Sequence, residues 1–172
     1  MGDYVMIWIP GKLVMMVGPS CAGKSTWVRN RVAHGHCFPD AVISTDNIRQ
    51  QIYGDFTKWD ESKQQQVNGA ALSQAVARIN HGLDVVYDAT NIRWASRQRI
   101  LAAMPIEMEI EYLVMDRPLQ VKRRQAGWRA ATKVNGVPLI DYHHRIMLAN
   151  LTTILAGDGD PRVVVEDMRV LV

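Results

Sequence analysis

The sequence predicts an α/β fold, a three-layer α/β/α sandwich around a mostly parallel five-stranded sheet. Short apolar runs rich in β-branched residues alternate along the chain with segments of helical periodicity, which implies parallel strands joined by right-handed helical crossovers. These runs are bounded by turn residues and are typical of strands covered on both faces. With 172 residues, 48% hydrophobic and 22% charged, the chain is expected to form a single domain with a self-sufficient core.

The elements can be assigned in chain order. Strands are predicted over residues 13–17, 41–45, 84–88, 108–115 and 162–166. The longest predicted helix covers residues 60–81, where Asp60 can cap the start and Gly82 can end it. Its apolar residues recur at helical spacing, namely Val67, Ala71, Leu72, Ala75, Val76 and Ile79. Further helices are expected to follow Lys24, follow Arg93, begin near Pro118 and cover residues 138–156.

Net charge and cysteine content indicate which partners and which cellular compartment the protein can have. A net charge of +3 permits an anionic partner such as a nucleotide or nucleic acid without requiring one. Cys21 and Cys37 are too few for a disulfide framework, which favours free thiols in a reducing compartment. The opening MGDYVMIWI is predicted to be an edge strand or docked arm rather than a signal peptide. We therefore expect a cytoplasmic protein with no membrane partner. The sequence leaves open whether it forms a homo-oligomer.

Residues 18–25, GPSCAGKS, lie between the first predicted strand and a predicted helix. They fit the pattern G-x-x-x-x-G-K-[ST], in which glycines let backbone amides approach phosphate oxygens at the positive end of a helix. This phosphate loop, or P-loop, predicts a P-loop NTPase-type fold that binds ATP or another nucleoside triphosphate. The strand and helix around it argue against a glycine turn that arose by chance. The predicted nucleotide contacts are Gly18, Ser20, Ala22, Gly23, Lys24, Ser25 and Thr26.

Two P-loop side chains have more specific roles in this prediction. Lys24 is expected to reach the β- and γ-phosphates and to act in catalysis, while the Ser25 hydroxyl is expected to bind Mg²⁺. Asp88, at the end of the third predicted strand, is the second predicted Mg²⁺ residue and also a predicted substrate contact, because it faces the same cleft. An Asx turn that ends the strand is the alternative for Asp88.

The segment after the second predicted strand, STDNIRQQIYGD, places Asp46 three residues before Arg49. Both side chains would share one face of the first turn of a helix, at the sheet edge where ligands bind. A carboxylate there can accept a hydroxyl proton, and an arginine can hold an anionic acceptor. The alternative is that Asp46 caps the helix and Arg49 is a solvated surface residue. Thr90 and Asn91 offer polar groups to the same cleft as predicted substrate contacts, although a turn explains them almost as well.

Residues 117–133 are basic throughout and contain no acidic residue. Such one-sided charge near a phosphate site predicts a small helical lid over about residues 117–137 that folds over the triphosphate. Arg124 and Arg129 are the predicted catalytic arginines of this lid. A solvated basic helix face, or a surface for a phosphate backbone, is the alternative.

Five segments occur in the order and approximate spacing found in the kinase domain of phage-type polynucleotide 5′-hydroxyl kinases: GPSCAGKSTW, STDNIRQ, DATN, VKRRQAGWR and NGVPLIDYHHRIM. The chain resembles that family over about residues 13–150. The resemblance implies that Lys24 and Ser25 bind the nucleotide and that Asp46 is the general base on the 5′-hydroxyl. It also implies that Arg49 contacts the 3′-phosphate of the acceptor.

The sequence departs from this family in three places. Family lids usually carry two arginines four residues apart, whereas Arg124 and Arg129 are five apart, so the resemblance does not decide which one acts. The family aspartate after the third strand matches Asp88 with a one-residue shift. The segment GDGDP at 157–161 lacks the strand and threonine context of the phosphatase domain found in bifunctional relatives, so no 3′-phosphatase activity is expected.

The sequence thus predicts transfer of the γ-phosphate of Mg²⁺-ATP to the 5′-hydroxyl end of DNA or RNA. One alternative is a kinase of a small hydroxyl acceptor such as a sugar, a nucleoside or an antibiotic. Another is a non-catalytic nucleotide-binding or toxin-like module, which would have no use for a base opposite the γ-phosphate.

Overall fold

The structure is a computed structural model, and it describes residues 11–57 and 60–170. The predicted edge strand or docked arm at MGDYVMIWI lies outside these residues. Among the helices that the structure describes, none combines the length and the apolar character needed to cross a membrane.

Five strands form one parallel sheet, as predicted. They are β1 (Leu13–Val17), β2 (Val42–Ser44), β3 (Val85–Asp88), β4 (Ile110–Val114) and β7 (Val163–Asp167), in the spatial order β2-β3-β1-β4-β7. Two more strands, β5 (Lys133–Val134) and β6 (Val137–Pro138), pair with each other in an antiparallel hairpin. The helices are α1 (Lys24–Ala33), α2 (Thr45–Tyr53), α3 (Glu61–Asn80), α4 (Trp94–Ala103), α5 (Leu119–Arg124) and α6 (Leu139–Leu155).

The sheet is covered on both faces, which gives the three layers that were predicted. On one face Leu13, Met15 and Val17 of β1 pack with buried residues of α3, α4 and α6. On the other face Met16 packs with Val28 of α1. Because alternate residues of one strand enter different clusters, β1 must be apolar at nearly every position.

The α3 helix shows how local sequence fixes one layer. Asp60 accepts a hydrogen bond from the backbone N–H of Lys63 at 2.9 Å, so it caps the helix as predicted. Of the predicted apolar stripe, the four innermost residues are fully buried: Val67, Ala71, Ala75 and Ile79. The 3.6-residue repeat therefore turns one continuous face toward the sheet.

A buried ion pair ties α4 to the turn that precedes β7. Nε and Nη2 of Arg97 lie 2.6 and 2.7 Å from the two carboxylate oxygens of Asp158, and both side chains are completely buried. The Tyr112 hydroxyl donates to the same carboxylate at 2.9 Å. A bidentate pair with a further donor meets the hydrogen-bonding needs that burial imposes on both charges.

The segment 117–137, where a small helical lid was predicted, contains two short helices followed by a hairpin. It consists of α5, a 3-10 helix (Gly127–Ala131) and the hairpin of β5 and β6. Asn135 and Gly136 turn this hairpin, and both have a positive φ, 50° and 78°. The ammonium of Lys122, which is fully buried, anchors α5 through Asp116 at 2.5 Å and His144 at 2.9 Å.

Candidate active site

A cavity of about 660 Å³ opens at the carboxyl ends of β1, β2 and β3. Ser44 of β2 is paired with Asp88 of β3, so the segments that follow these two strands emerge side by side at this edge. Most of the predicted site residues line the cavity: Ser20, Ala22, Gly23, Lys24, Ser25, Thr26, Asp46, Arg49, Asp88, Thr90, Asn91 and Arg129. Gly18 and Arg124 do not.

The P-loop backbone depends on its two glycines. Gly23 has a φ of +103° and directly precedes α1, so it adopts a conformation that other residues avoid. A Cβ at Gly18 would lie 2.1 Å from the backbone oxygen of Met115, so this position has no room for a side chain. Gly18 therefore shapes the loop from behind the cavity wall.

Lys24 is held inside the loop. Its ammonium donates to the carbonyl oxygens of Gly18 and Pro19, each at 2.8 Å, and the residue is only 7% exposed. Burial lowers the pKa of Lys24 from 10.5 to about 8, although the nearby Asp88 carboxylate opposes this shift. An anion that entered the cavity would favour the protonated lysine and would strengthen its own binding.

Ser25 and Asp88 face each other across the cavity wall. The Ser25 hydroxyl donates to Oδ2 of Asp88 at 2.9 Å. Burial raises the pKa of the Asp88 carboxyl, while the Lys24 ammonium works in the opposite direction. A hydroxyl and a carboxylate are the oxygen ligands that Mg²⁺ prefers, so these two residues fit the ion.

Asp46 lies on the first turn of α2, and its carboxylate is fixed by two arginines. Arg49 donates from Nη1 to Oδ1 at 2.6 Å, and Arg129 donates from Nη2 to Oδ2 at 2.8 Å. No side-chain hydrogen bond caps α2, so the alternative of Asp46 as a helix cap does not hold. Nor is Arg49 a solvated surface residue, because it is 5% exposed and also donates to Gln64 and to the Phe56 carbonyl oxygen.

The lid segment reaches the α2 side of the cavity through two neighbouring residues. The Trp128 ring meets the Phe56 ring edge-on, with centroids 5.9 Å apart, and the Arg129 guanidinium lies over the Trp128 ring at 4.4 Å. Arg129 therefore reaches the cavity from a segment that is packed against Phe56 through Trp128. Arg124 is exposed and does not line the cavity, so the geometry gives no support to its predicted catalytic role.

Thr90 and Asn91 make backbone contacts that shape the loop after β3. The Thr90 carbonyl oxygen accepts a hydrogen bond from the Gly18 N–H at 2.9 Å. The Asn91 side chain donates to the Met16 carbonyl oxygen at 2.9 Å, and its φ is +47°. These contacts account for both residues structurally, and their predicted substrate contacts stay predictions.

Sequence reasoning missed several residues of the cavity. Ser20 Oγ and Nδ1 of His143 on α6 are joined by a hydrogen bond of 2.9 Å, and burial lowers the pKa of His143 to about 3, so the ring is neutral. No local motif marks a histidine more than a hundred residues from the loop it contacts. Arg117 was identified only as one member of a basic run, yet its guanidinium lies directly over Gly23.

The cavity is rich in positive charge. Among the residues that the structure describes, the cavity is lined by two acidic residues, Asp46 and Asp88, and by seven basic ones: Lys24, Arg29, Arg49, Arg93, Arg99, Arg117 and Arg129. This excess favours anionic ligands over neutral ones.

A protein-family model described as an AAA domain matches residues 13–153. No curated protein resembles the sequence closely enough to count as a match. A chain of the Pnkp1/Rnl/Hen1 RNA repair complex superposes on this chain with a TM-score of 0.67 and 18% identity. The match covers 88% of this chain and 49% of that chain, so this chain spans about half the length of that neighbour.

Two other solved structures share the architecture. A gluconokinase from Sinorhizobium meliloti has a TM-score of 0.54 and 19% identity, over 92% of this chain and 82% of its own. The Mycobacterium tuberculosis APS kinase CysC, in complex with AMPPNP and APS, has a TM-score of 0.52 and 19% identity, over 68% of this chain and 69% of its own. At these identities the likeness shows the fold, which is that of P-loop kinases.

Proposed function

Because the chain belongs to the AAA domain family and has a P-loop kinase fold, we propose that it transfers the γ-phosphate of ATP to the 5′-hydroxyl end of a nucleic acid. The observation that carries this proposal is the position of Asp46. Its carboxylate lines the same cavity as Lys24 and is oriented by Arg49 and Arg129. A protein that only senses a nucleotide has no need of an oriented carboxylate in that place.

In the proposed reaction, ATP binds on the P-loop side of the cavity and the acceptor hydroxyl binds on the Asp46 side. The P-loop amides and Lys24 would bind the β- and γ-phosphates of ATP. Asp46 would accept the proton of the acceptor hydroxyl as its oxygen bonds to the γ-phosphorus, and the bond to the β-phosphate oxygen breaks to release ADP. Arg129 would balance the charge on the transferring group from the lid side. Ser25 and Asp88 would hold Mg²⁺, which neutralises phosphate charge when it is bound.

Two findings favour a nucleic acid as the acceptor. The excess of basic residues around the cavity suits a phosphodiester strand. The segments that resemble phage-type polynucleotide kinases include Asp46, Arg49 and the P-loop; both side chains and P-loop residues 20–25 line this cavity. The rival is a kinase of a small hydroxyl acceptor, since a gluconokinase and an APS kinase share the fold.

An acceptor panel with γ-labelled ATP tests the proposal. The purified protein is incubated with 5′-hydroxyl DNA, 5′-hydroxyl RNA, gluconate and thymidine, with 5′-phosphorylated strands of the same sequences as controls. We expect label on the 5′-hydroxyl strands and none on their 5′-phosphorylated controls. Label on gluconate but on neither strand would favour the rival, and no label on any acceptor would contradict the assignment as a kinase of these hydroxyls.

A further inference from the structure

Helix α6 contacts the P-loop through the side chain of His143. Nδ1 of its ring and Oγ of Ser20 share a hydrogen bond of 2.9 Å, although the two residues are 123 positions apart in the sequence. Both residues line the cavity, and Ser20 is only 8% exposed. The bond therefore fixes a P-loop side chain from a helix that lies far from the loop in the chain.

The His143 ring is uncharged at neutral pH. Burial first, and then four positive charges, lower the pKa of the ring to about 3; in order of effect the charges are Lys24, Arg93, Arg129 and Lys122. The first three of these residues also line the cavity. His143 thus lies near both the P-loop lysine and the arginine of the lid without adding to their charge.

A neutral imidazole carries one hydrogen, on Nδ1 or on Nε2. With the hydrogen on Nδ1, the ring donates to Ser20 Oγ, and the Ser20 hydroxyl keeps its own hydrogen for another acceptor. Nε2 then carries a lone pair, which the positive charges around the ring stabilise. These charges therefore favour the form of His143 that leaves the Ser20 hydroxyl free to donate.

The position of Ser20 in the loop indicates which phosphate its hydroxyl can reach. The Lys24 ammonium donates to the carbonyl oxygens of the two residues before Ser20, so it lies beside the same stretch of backbone. In this loop pattern the lysine reaches the β- and γ-phosphates. Asp46, the proposed base, is bound by Arg129 of the lid, so the γ-phosphate would lie between Lys24 and that pair.

We propose that His143 is a positioning residue that donates from Nδ1 to Ser20 and thereby directs the Ser20 hydroxyl toward the γ-phosphate of the nucleotide. This inference rests on the part of the proposed function that makes ATP the phosphate donor. A neutral donor stabilises the negative oxygens of the γ-phosphate without repelling Lys24 or Arg129, as another cation would. Because His143 already holds the hydroxyl, little side-chain freedom is lost when the nucleotide binds.

Calorimetry with the full chain, in the absence of any acceptor, tests this role. ADP and AMPPNP, a non-hydrolysable analogue of ATP, are titrated separately in the presence of Mg²⁺, because only the analogue carries a group at the γ position. Ser20→Ala removes the hydroxyl and should weaken AMPPNP binding roughly 10- to 100-fold, the range for a hydrogen bond to a charged group. ADP binding should change less than about threefold, which also shows that the loop of the variant is folded.

Two substitutions of His143 distinguish its two ring nitrogens. Asparagine places an amide N–H₂ where Nδ1 stands, whereas glutamine places its amide near the position of Nε2 and away from Ser20. We expect His143→Gln to weaken AMPPNP binding roughly 10-fold and His143→Asn to restore most of that affinity, with little change for ADP in either variant. When Ser20→Ala is already present, His143→Gln should add almost no further loss, because His143 acts through Ser20.

His81→Gln is the matched control, since His81 is exposed, contacts the Ala77 carbonyl oxygen through its own Nδ1 and does not line the cavity. It should bind both nucleotides as the parent does. Four results would each overturn the role of His143: unchanged AMPPNP binding in His143→Gln, equal losses for ADP and AMPPNP, additive losses in the double variant, or a loss in His143→Asn that His143→Gln does not share. The last result would mean that Nε2 itself contacts the nucleotide.

The binding experiment contains no acceptor, so it can fail separately from the proposed function. If no nucleic acid is labelled but AMPPNP binding depends on Ser20 and His143 as expected, the proposed acceptor is wrong and the positioning role stands. If nucleic acid is labelled and His143→Gln binds AMPPNP as the parent does, the positioning role is wrong and the proposed function stands. A parent protein that binds neither nucleotide would overturn both.

Discussion

Replacement of Asp46 by asparagine separates catalysis from nucleotide binding. Asparagine keeps the volume of the side chain and one oxygen acceptor for Arg49, but it cannot accept a proton and presents an amide N–H₂ to one of the two arginines. Loss of a general base lowers turnover by roughly 10² to 10⁴. Because the Asp46 side chain is 39% exposed, loss of its ion pairs should cost only about 1 kcal/mol of folding free energy.

The assay is kcat for phosphorylation of a 5′-hydroxyl oligonucleotide, measured together with the Kd for ATP and the unfolding free energy. Asp40→Asn is the matched control, since Asp40 is 75% exposed, pairs with Arg78 and does not line the cavity. Asp46→Asn should reduce kcat while the Kd for ATP changes less than about threefold, and Asp40→Asn should change neither. If Asp46→Asn phosphorylates the oligonucleotide at the parent rate, Asp46 is not the base.

Three other predictions concern stability. Lys24→Met should abolish transfer yet raise the unfolding free energy by about 1–2 kcal/mol at pH 7, because it removes a buried charge at the cost of two carbonyl hydrogen bonds. The pKa of Lys24 is about 8 in the folded protein and 10.5 in the unfolded chain, so the unfolded chain binds more protons between these two pH values. The stability of the parent protein therefore rises with pH over this range. Urea unfolding from pH 7 to 10.5 should show that the stability advantage of Lys24→Met shrinks. Gly18→Ala should cost about 2–4 kcal/mol in urea and weaken ATP binding, since its Cβ would lie 2.1 Å from Met115 O; unchanged stability would refute the close approach. Asp158→Asn should cost about 3 kcal/mol, because Arg97 stays buried, without a change in the Kd for ATP.

The sheet was predictable from sequence because its central strands, β1, β3 and β4, are almost entirely buried. A strand covered on both faces must be apolar at successive positions, and β1 and β3 stand out from the chain for that reason. The rule that ligands bind at the carboxyl ends of parallel strands then predicts that Asp46 and Asp88 lie at one edge of the sheet. Structure confirms that both line one cavity, while their catalytic and metal roles stay predictions.

The hairpin at the end of the lid segment is encoded by turn residues and not by the basic charge pattern. Val134-Asn135-Gly136-Val137 is an Asn-Gly turn between two β-branched residues, which is a strong hairpin signal, and the structure forms that hairpin. The basic run also drew attention to Arg124, which lies on the surface. Charge alone does not specify which side of a short helix faces a cavity.

Contacts between distant segments were beyond sequence reasoning. His143 reaches Ser20 only because α6 packs beside the P-loop. Such residues emerge from packing and not from any local motif.

The central claim is that one phosphate moves from ATP to the 5′-hydroxyl of a strand, and the mass of the product tests it most directly. A DNA oligonucleotide blocked by phosphate at its 3′ end offers a single terminal hydroxyl, and mass spectrometry after incubation with Mg²⁺-ATP counts the phosphates added. The account predicts a gain of one phosphate by this oligonucleotide and none by the same strand already phosphorylated at its 5′ end. No gain by the 5′-hydroxyl strand, or an equal gain by both strands, would contradict it.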